Sequence, residues 1–158
     1  MSHCGWLVGR ACLAGVAAAF GAKTVLWLIA AITNLVFFKR FGALLPPLGN
    51  HHLGPCIVAV PVAGALVVGL MARSGSEKSR GHGIPEALEA ILLGRSMVEP
   101  KVALLKPISS AISIGTGGPF GAEGPIIMTG GALGSIIAQF FHLTAAERKT
   151  LLVAGAAA

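Results

Sequence analysis

Two short runs hold the residue types and spacings that could do chemistry: Gly121-Ala122-Glu123-Gly124-Pro125 and Gly81-His82-Gly83-Ile84-Pro85-Glu86. Each sets glycines just ahead of a proline that suits the first turn of a helix. A helix N-terminus presents backbone N–H groups with no intrahelical acceptor and carries roughly half a positive charge. Without a Cβ in the way, a small anion can approach those amides closely. Such a site attracts a halide without placing a full cation beside it, so the ion can also leave. Glu123 is the only acid between Glu99 and Glu147. At a helix start its carboxylate can occupy the anion's place as a tethered competitor and vacate it on protonation, which makes it a candidate gate and proton carrier. The alternative is an ordinary N-terminal acid in a water-exposed loop. His82, between two glycines, can donate a hydrogen bond to an anion, more strongly when protonated, or simply face cytoplasmic water.

These runs have to be positioned by elements suited to lipid. The chain has 158 residues, 54% hydrophobic and 11% charged, against about 25% charged in a soluble domain. Its formal net charge of +6 is spread along the chain rather than gathered in a basic stripe, so nucleic acid is not an expected partner. A first apolar run from Trp6 to Phe38 is broken only by Arg10 and Lys23 and closed by Lys39 and Arg40. It exceeds the ~20 residues of a perpendicular span and the ~7–15 of a signal core, so a retained, tilted membrane helix is expected. Pro46-Pro47 and Gly49-Asn50 mark a loop. A second crossing is expected over Leu53 to Ala72, with Pro55 in its first turn and a kink at Pro61. The polar segment Arg73 to Arg80 places its loop, and with it Met1, on the cytoplasmic side.

A short helix after Pro85 can run only to about Leu93. Most of Met97 to Gly118, interrupted by Lys101, Lys106 and Pro107, reads as a third, imperfect crossing. The run from Gly115 to Pro125 is too rich in glycine for regular helix. An apolar helix is expected over Ile126 to Leu143, where Gly130 and Gly134 permit close helix contact. Thr144-Ala-Ala-Glu147 is a capping box opening a last helix. Leu151 to Ala158 reads as a spanning helix cut short, so the chain is expected to be a fragment of a unit that continues. Non-helical backbone at membrane depth is tolerated only where it is buried or lines a wet cavity, and broken helices of this kind build transporter ion sites.

Other chemistries lack their residues. No Gly-Lys-Ser/Thr follows the glycine-rich run, and no dinucleotide fingerprint, Ser-His-Asp set or zinc-ligand spacing occurs. Cys4, Cys12 and Cys56 form no CxxC pair and read as packing residues. No enzyme activity, resident cofactor or metal is expected.

The two glycine–proline runs resemble those of the CLC family of chloride channels and chloride/proton exchangers. That family carries Gly-Ser-Gly-Ile-Pro-Glu and, later, Gly-(Lys/Arg)-Glu-Gly-Pro. Lys106, the run Gly115-Thr-Gly-Gly and Leu151-Leu-Val-Ala-Gly-Ala-Ala-Ala158 are also similar to the family, and the resemblance extends from about Leu7 onward. It implies an all-α membrane protein, a multi-spanning bundle with broken helices. Residues 1–158 would form most of the first half of two inverted repeats, assembled as a homodimer in a cell membrane. It implies that Glu123 is the external gating glutamate, with the anion, chloride, held by amides around Gly81, His82, Gly83, Ile84 and Pro85 and around Gly121, Ala122, Gly124 and Pro125. Protons would be a second cargo if the protein is an exchanger rather than a channel. Two departures stand out: His82 replaces the serine that faces the central anion, and Ala122 replaces the basic residue before the gate, making the outer mouth less positive. A non-transporting membrane assembly subunit, or a secondary transporter for another anion, are the alternatives.

Overall fold

In a computed structural model the chain is described at residues 2–42, 44, 54–74, 98, 100–141 and 143–158. All regular structure among these residues is helical: α1 (Ser2–Phe38), a 3₁₀ turn (Gly54–Val58), α2 (Ala59–Ser74), α3 (Pro100–Gly115), α4 (Glu123–Phe140) and α5 (Ala145–Ala157).

The first apolar run forms α1, a helix of 37 residues. Its Val8–Phe38 stretch is the one helix among the described residues that is long and apolar enough to cross a membrane, by length and composition. The helix stops where Lys39 takes a left-handed φ of 50°. Asn34 then ties the chain back, its Nδ2 donating to the carbonyls of Ala30 (2.9 Å), Gly42 (2.8 Å) and Leu44 (2.8 Å).

Pro61 makes no kink. The chain runs as 3₁₀ helix over Gly54–Val58 and becomes α-helical only at Ala59. Pro61 therefore falls in the first turn of α2, where its missing N–H has no bond to lose. The imperfect crossing read from residues 97–118 is the 16-residue helix α3. At 1.5 Å per residue it rises about 24 Å, less than the ~30 Å hydrocarbon core. Helix α4 begins at Glu123, the helix start that Pro125 marks in the sequence, and ends at Phe140.

Small residues bring the helices together. A Cβ on Gly130 would collide with the Gly155 carbonyl oxygen, and one on Gly134 with that of Leu151, so α4 and α5 touch backbone to backbone as the Gly130–Gly134 pair predicts. On α1, Ala14, Ala18, Val25 and Ile29 form a buried stripe. Gly21 continues it, its missing Cβ leaving room for Leu133 and Thr129 of α4.

Polarity is distributed in the opposite sense to a soluble domain. Thr33, Asn34, Lys106, Ser109, Thr129 and Ser135 are buried, while Leu13, Val16, Phe20, Leu26, Trp27 and Leu35 of α1 and Val62, Leu66 and Leu70 of α2 are exposed. Several buried hydroxyls bond within their own helix, as Thr33 Oγ1 does to the Ile29 carbonyl (2.9 Å) and Thr129 Oγ1 to that of Pro125 (2.7 Å). Large apolar side chains outside and small or satisfied polar ones inside suit helices solvated by lipid, where close packing and hydrogen bonding drive association.

Candidate functional site: an uncapped helix start bearing Glu123

The glycine-rich run reverses the chain between α3 and α4. Helix α3 ends in a Schellman motif: the Gly118 N–H donates to the Ser113 carbonyl (2.9 Å) and the Gly117 N–H to that of Ile114 (2.9 Å). Gly117 carries the required left-handed φ of 91°. The next residues, Pro119, Phe120 and Gly121, are exposed. Space is open where a Cβ on Gly121 would stand, so packing among the described residues does not demand glycine there. That openness is what close approach to the neighbouring amides requires.

Helix α4 then starts without a side-chain cap. Its N-cap residue is Ala122, with φ −74° and ψ −14°, a residue with no hydrogen-bonding side chain. The first i→i−4 bond runs from the Ile126 N–H to the Ala122 carbonyl (3.0 Å). The amides of Glu123 and Gly124 precede that bond, and Pro125 has no N–H to offer. Two backbone donors and the positive end of the helix dipole therefore meet where Glu123 emerges. Glu123 is exposed while Gly124 and Pro125 are buried. Among the described residues its carboxylate makes no hydrogen bond or ion pair. Ala122 packs with the cluster of Val25, Ile29 and Ala111, so the position that is basic in the family's motif is turned into the helix junction.

The family-model comparison covers more than half of the chain: residues 63–158 match the model described as "Voltage gated chloride channel". The chain belongs to the voltage-gated chloride channel family. Both the Glu123 helix and the residues 81–86 lie inside the matched stretch, and the all-helical architecture is that of this membrane family. The chain is 33% identical over 139 residues to the "H(+)/Cl(-) exchange transporter ClcA" of Salmonella typhi, covering 86% of this chain and 28% of that protein. The exchanger of the same name from Salmonella arizonae is 34% identical over 122 residues, 75% of this chain and 26% of its own length. A ClcB-like protein from Ralstonia nicotianae is 30% identical over 103 residues, 63% of this chain and 24% of that protein. The chain thus spans about a quarter of the length of these relatives. No solved structure matches.

The other proposed anion contacts, Gly81, His82, Gly83, Ile84 and Pro85, lie outside the described residues, as does Glu86. The structure does show how the chain that follows them is held. The Val98 N–H donates to Ser135 Oγ of α4 (3.1 Å), and Gln139 Nε2 donates to the Val98 carbonyl (3.3 Å) and to Ser135 Oγ (3.1 Å). The helix that carries Glu123 thus also grips the approach to α3.

Lys106, which interrupts an apolar stretch and is also similar to the family, is 1% exposed, the largest fully buried side chain among the described residues. The signal that could have found it is a single lysine in an apolar helix beside a proline, because an ionisable group kept at membrane depth is costly and points to a functional interior.

Proposed function

We propose that this chain forms part of an anion pathway, for chloride, in a channel or a proton/anion exchanger, and that Glu123 is its gate. The reading rests above all on the uncapped start of α4, with Glu123 as its first residue, in a chain of the voltage-gated chloride channel family. The amides of Glu123 and Gly124, and those around Gly121, give a halide partial positive charge without a fixed cation, so binding is reversible. The Glu123 carboxylate competes for the same place and retreats when protonated. Gly81 to Ile84 would supply the opposing amides, with His82 facing the ion where the family motif has serine.

The relatives named as H(+)/Cl(-) exchangers support chloride as the cargo and proton exchange as one mode. In this reading residues 1–158 belong to the first half of a longer transmembrane domain that assembles as a homodimer in a cell membrane, with the N-terminus cytoplasmic.

The experiment is anion and proton flux in liposomes carrying the complete protein. Wild-type anion flux rises as pH falls, because protonation empties the site of its competitor. Glu123→Gln removes that pH dependence and any proton coupling while anion flux persists. Proton dependence that survives Glu123→Gln rejects the gate, and absence of anion flux from a folded wild type favours an assembly subunit.

A further inference from the structure

Ahead of the gate, Gly115 and Thr116 are buried, whereas Glu123 is exposed. With Gly117, itself exposed, they sit where three helices meet. A Cβ on Gly115 would lie 2.7 Å from Ile32 Cγ2 of α1. One on Gly117 would lie 3.3 Å from Phe37 Cζ of α1 and 3.7 Å from Pro61 Cγ of α2. Between them, the Thr116 side chain fills the space that a Cβ on Gly64 of α2 would need, with Thr116 Oγ1 in outright collision and Cβ at 2.8 Å. Thr116 cannot easily swing aside. It is 8% exposed, and its Oγ1 donates to the carbonyls of Ile112 (2.8 Å) and Ser113 (3.2 Å).

Beyond this seat Pro119, Phe120 and Gly121 are exposed, and packing resumes at Ala122, against Val25, Ile29 and Ala111. The gate therefore hangs on a short linker, residues 118–122, whose near end is fixed by the contact of α2 with the last turn of α3. Helix α4 holds the far end of this linker, so the seat and the packing of α4 together fix where Glu123 emerges. Gly64 itself argues for a required contact, since glycine inside a helix costs roughly 0.5–1 kcal/mol relative to alanine, and here alanine has no room.

We propose that Gly64 and Thr116 are positioning residues for the gate: their contact sets where the 118–122 linker begins and hence how Glu123 meets the anion site. The inference rests on the gate reading of Glu123. Its physical content is that α2, which packs on α3 and otherwise presents the exposed apolar residues Val62, Leu66 and Leu70, bears on the chain leading to the gate where Gly64 meets Thr116 and Pro61 lies beside Gly117.

The test compares Gly64→Ala, Thr116→Ala and the double variant with Glu123→Gln, each as the complete protein in liposomes. Proton/anion coupling and the pH profile of anion flux are read alongside thermal unfolding. Gly64→Ala drives a methyl group into Thr116 and should shift proton dependence by roughly threefold or more. Thr116→Ala loosens the seat without overpacking it and should shift the profile less. In the double variant Oγ1 and Cγ2 no longer oppose the new methyl group, so proton dependence should return part of the way to wild type, the signature of coupled residues. If Gly64→Ala does not fold, Thr116→Ala decides. Wild-type coupling and pH profile in the folded single variants, with only the unfolding temperature changed, would overturn the proposal while an effect of Glu123→Gln keeps the gate. If Glu123→Gln is itself without effect, the gate reading fails and takes the proposal with it.

Discussion

Helices α4 and α5 both begin with a glutamate in the first turn, and the two glutamates stand in different surroundings. At α5 the N-cap Thr144 adopts an extended backbone, φ −63° and ψ 160°. The Glu147 Oε2 accepts from the Thr144 N–H (3.0 Å) and from its Oγ1 (2.7 Å). That carboxylate is occupied by local structure. At α4 the N-cap is Ala122, no side chain caps the helix, and Glu123 is its first residue. The dipole end and the amides there have no side-chain cap, and the acid beside them, Glu123, is exposed. An acid at a helix start is therefore not informative by type alone. What surrounds it decides whether it closes the helix or guards it.

The sharpest way to break this contrast is to neutralise each acid in turn. Glu123→Gln should abolish the pH dependence of anion flux, whereas Glu147→Gln should leave it unchanged in the same liposome assay. Equal effects would erase the distinction. A second variant attacks the scaffold that both helix starts share. Gly134→Val forces a side chain into the Leu151 carbonyl and should destabilise the protein by about 1–3 kcal/mol or more, read by thermal unfolding in detergent. A smaller effect belongs to the capped end alone: Thr144→Ala should cost about 1 kcal/mol and leave proton dependence intact. The smallest belongs to the uncapped end. Ala122→Ser should gain less than about 0.5 kcal/mol, because the backbone there is helical rather than in the extended conformation that aims a capping side chain. A large gain would show that α4 merely lacks an ordinary cap.

Much of this was legible in the sequence where a local rule acts alone. The capping box at Thr144 and Glu147 follows from a four-residue spacing, the close α4–α5 contact from Gly130 and Gly134, and the end of α1 from Lys39 and Arg40. The family showed in Gly121 to Pro125 and Gly81 to Glu86. What failed depended on where an element begins. Pro61 reads as a kink only if the helix has already started; the structure starts it at Ala59. The start of α4, by contrast, follows from Pro125, which suits a first turn, and the structure begins that helix at Glu123. The burial of Lys106 and the seat formed by Gly64 and Thr116 were not legible, because they depend on which faces of distant helices meet.

The central claim is that Glu123 and an anion compete for the start of α4, and calorimetric chloride titration of the complete protein tests it most directly. Wild type should bind chloride more tightly as pH falls, and Glu123→Ala should bind it tightly at every pH, because the tethered competitor is gone. Equal Kd values for the two proteins at all pH values would contradict the account.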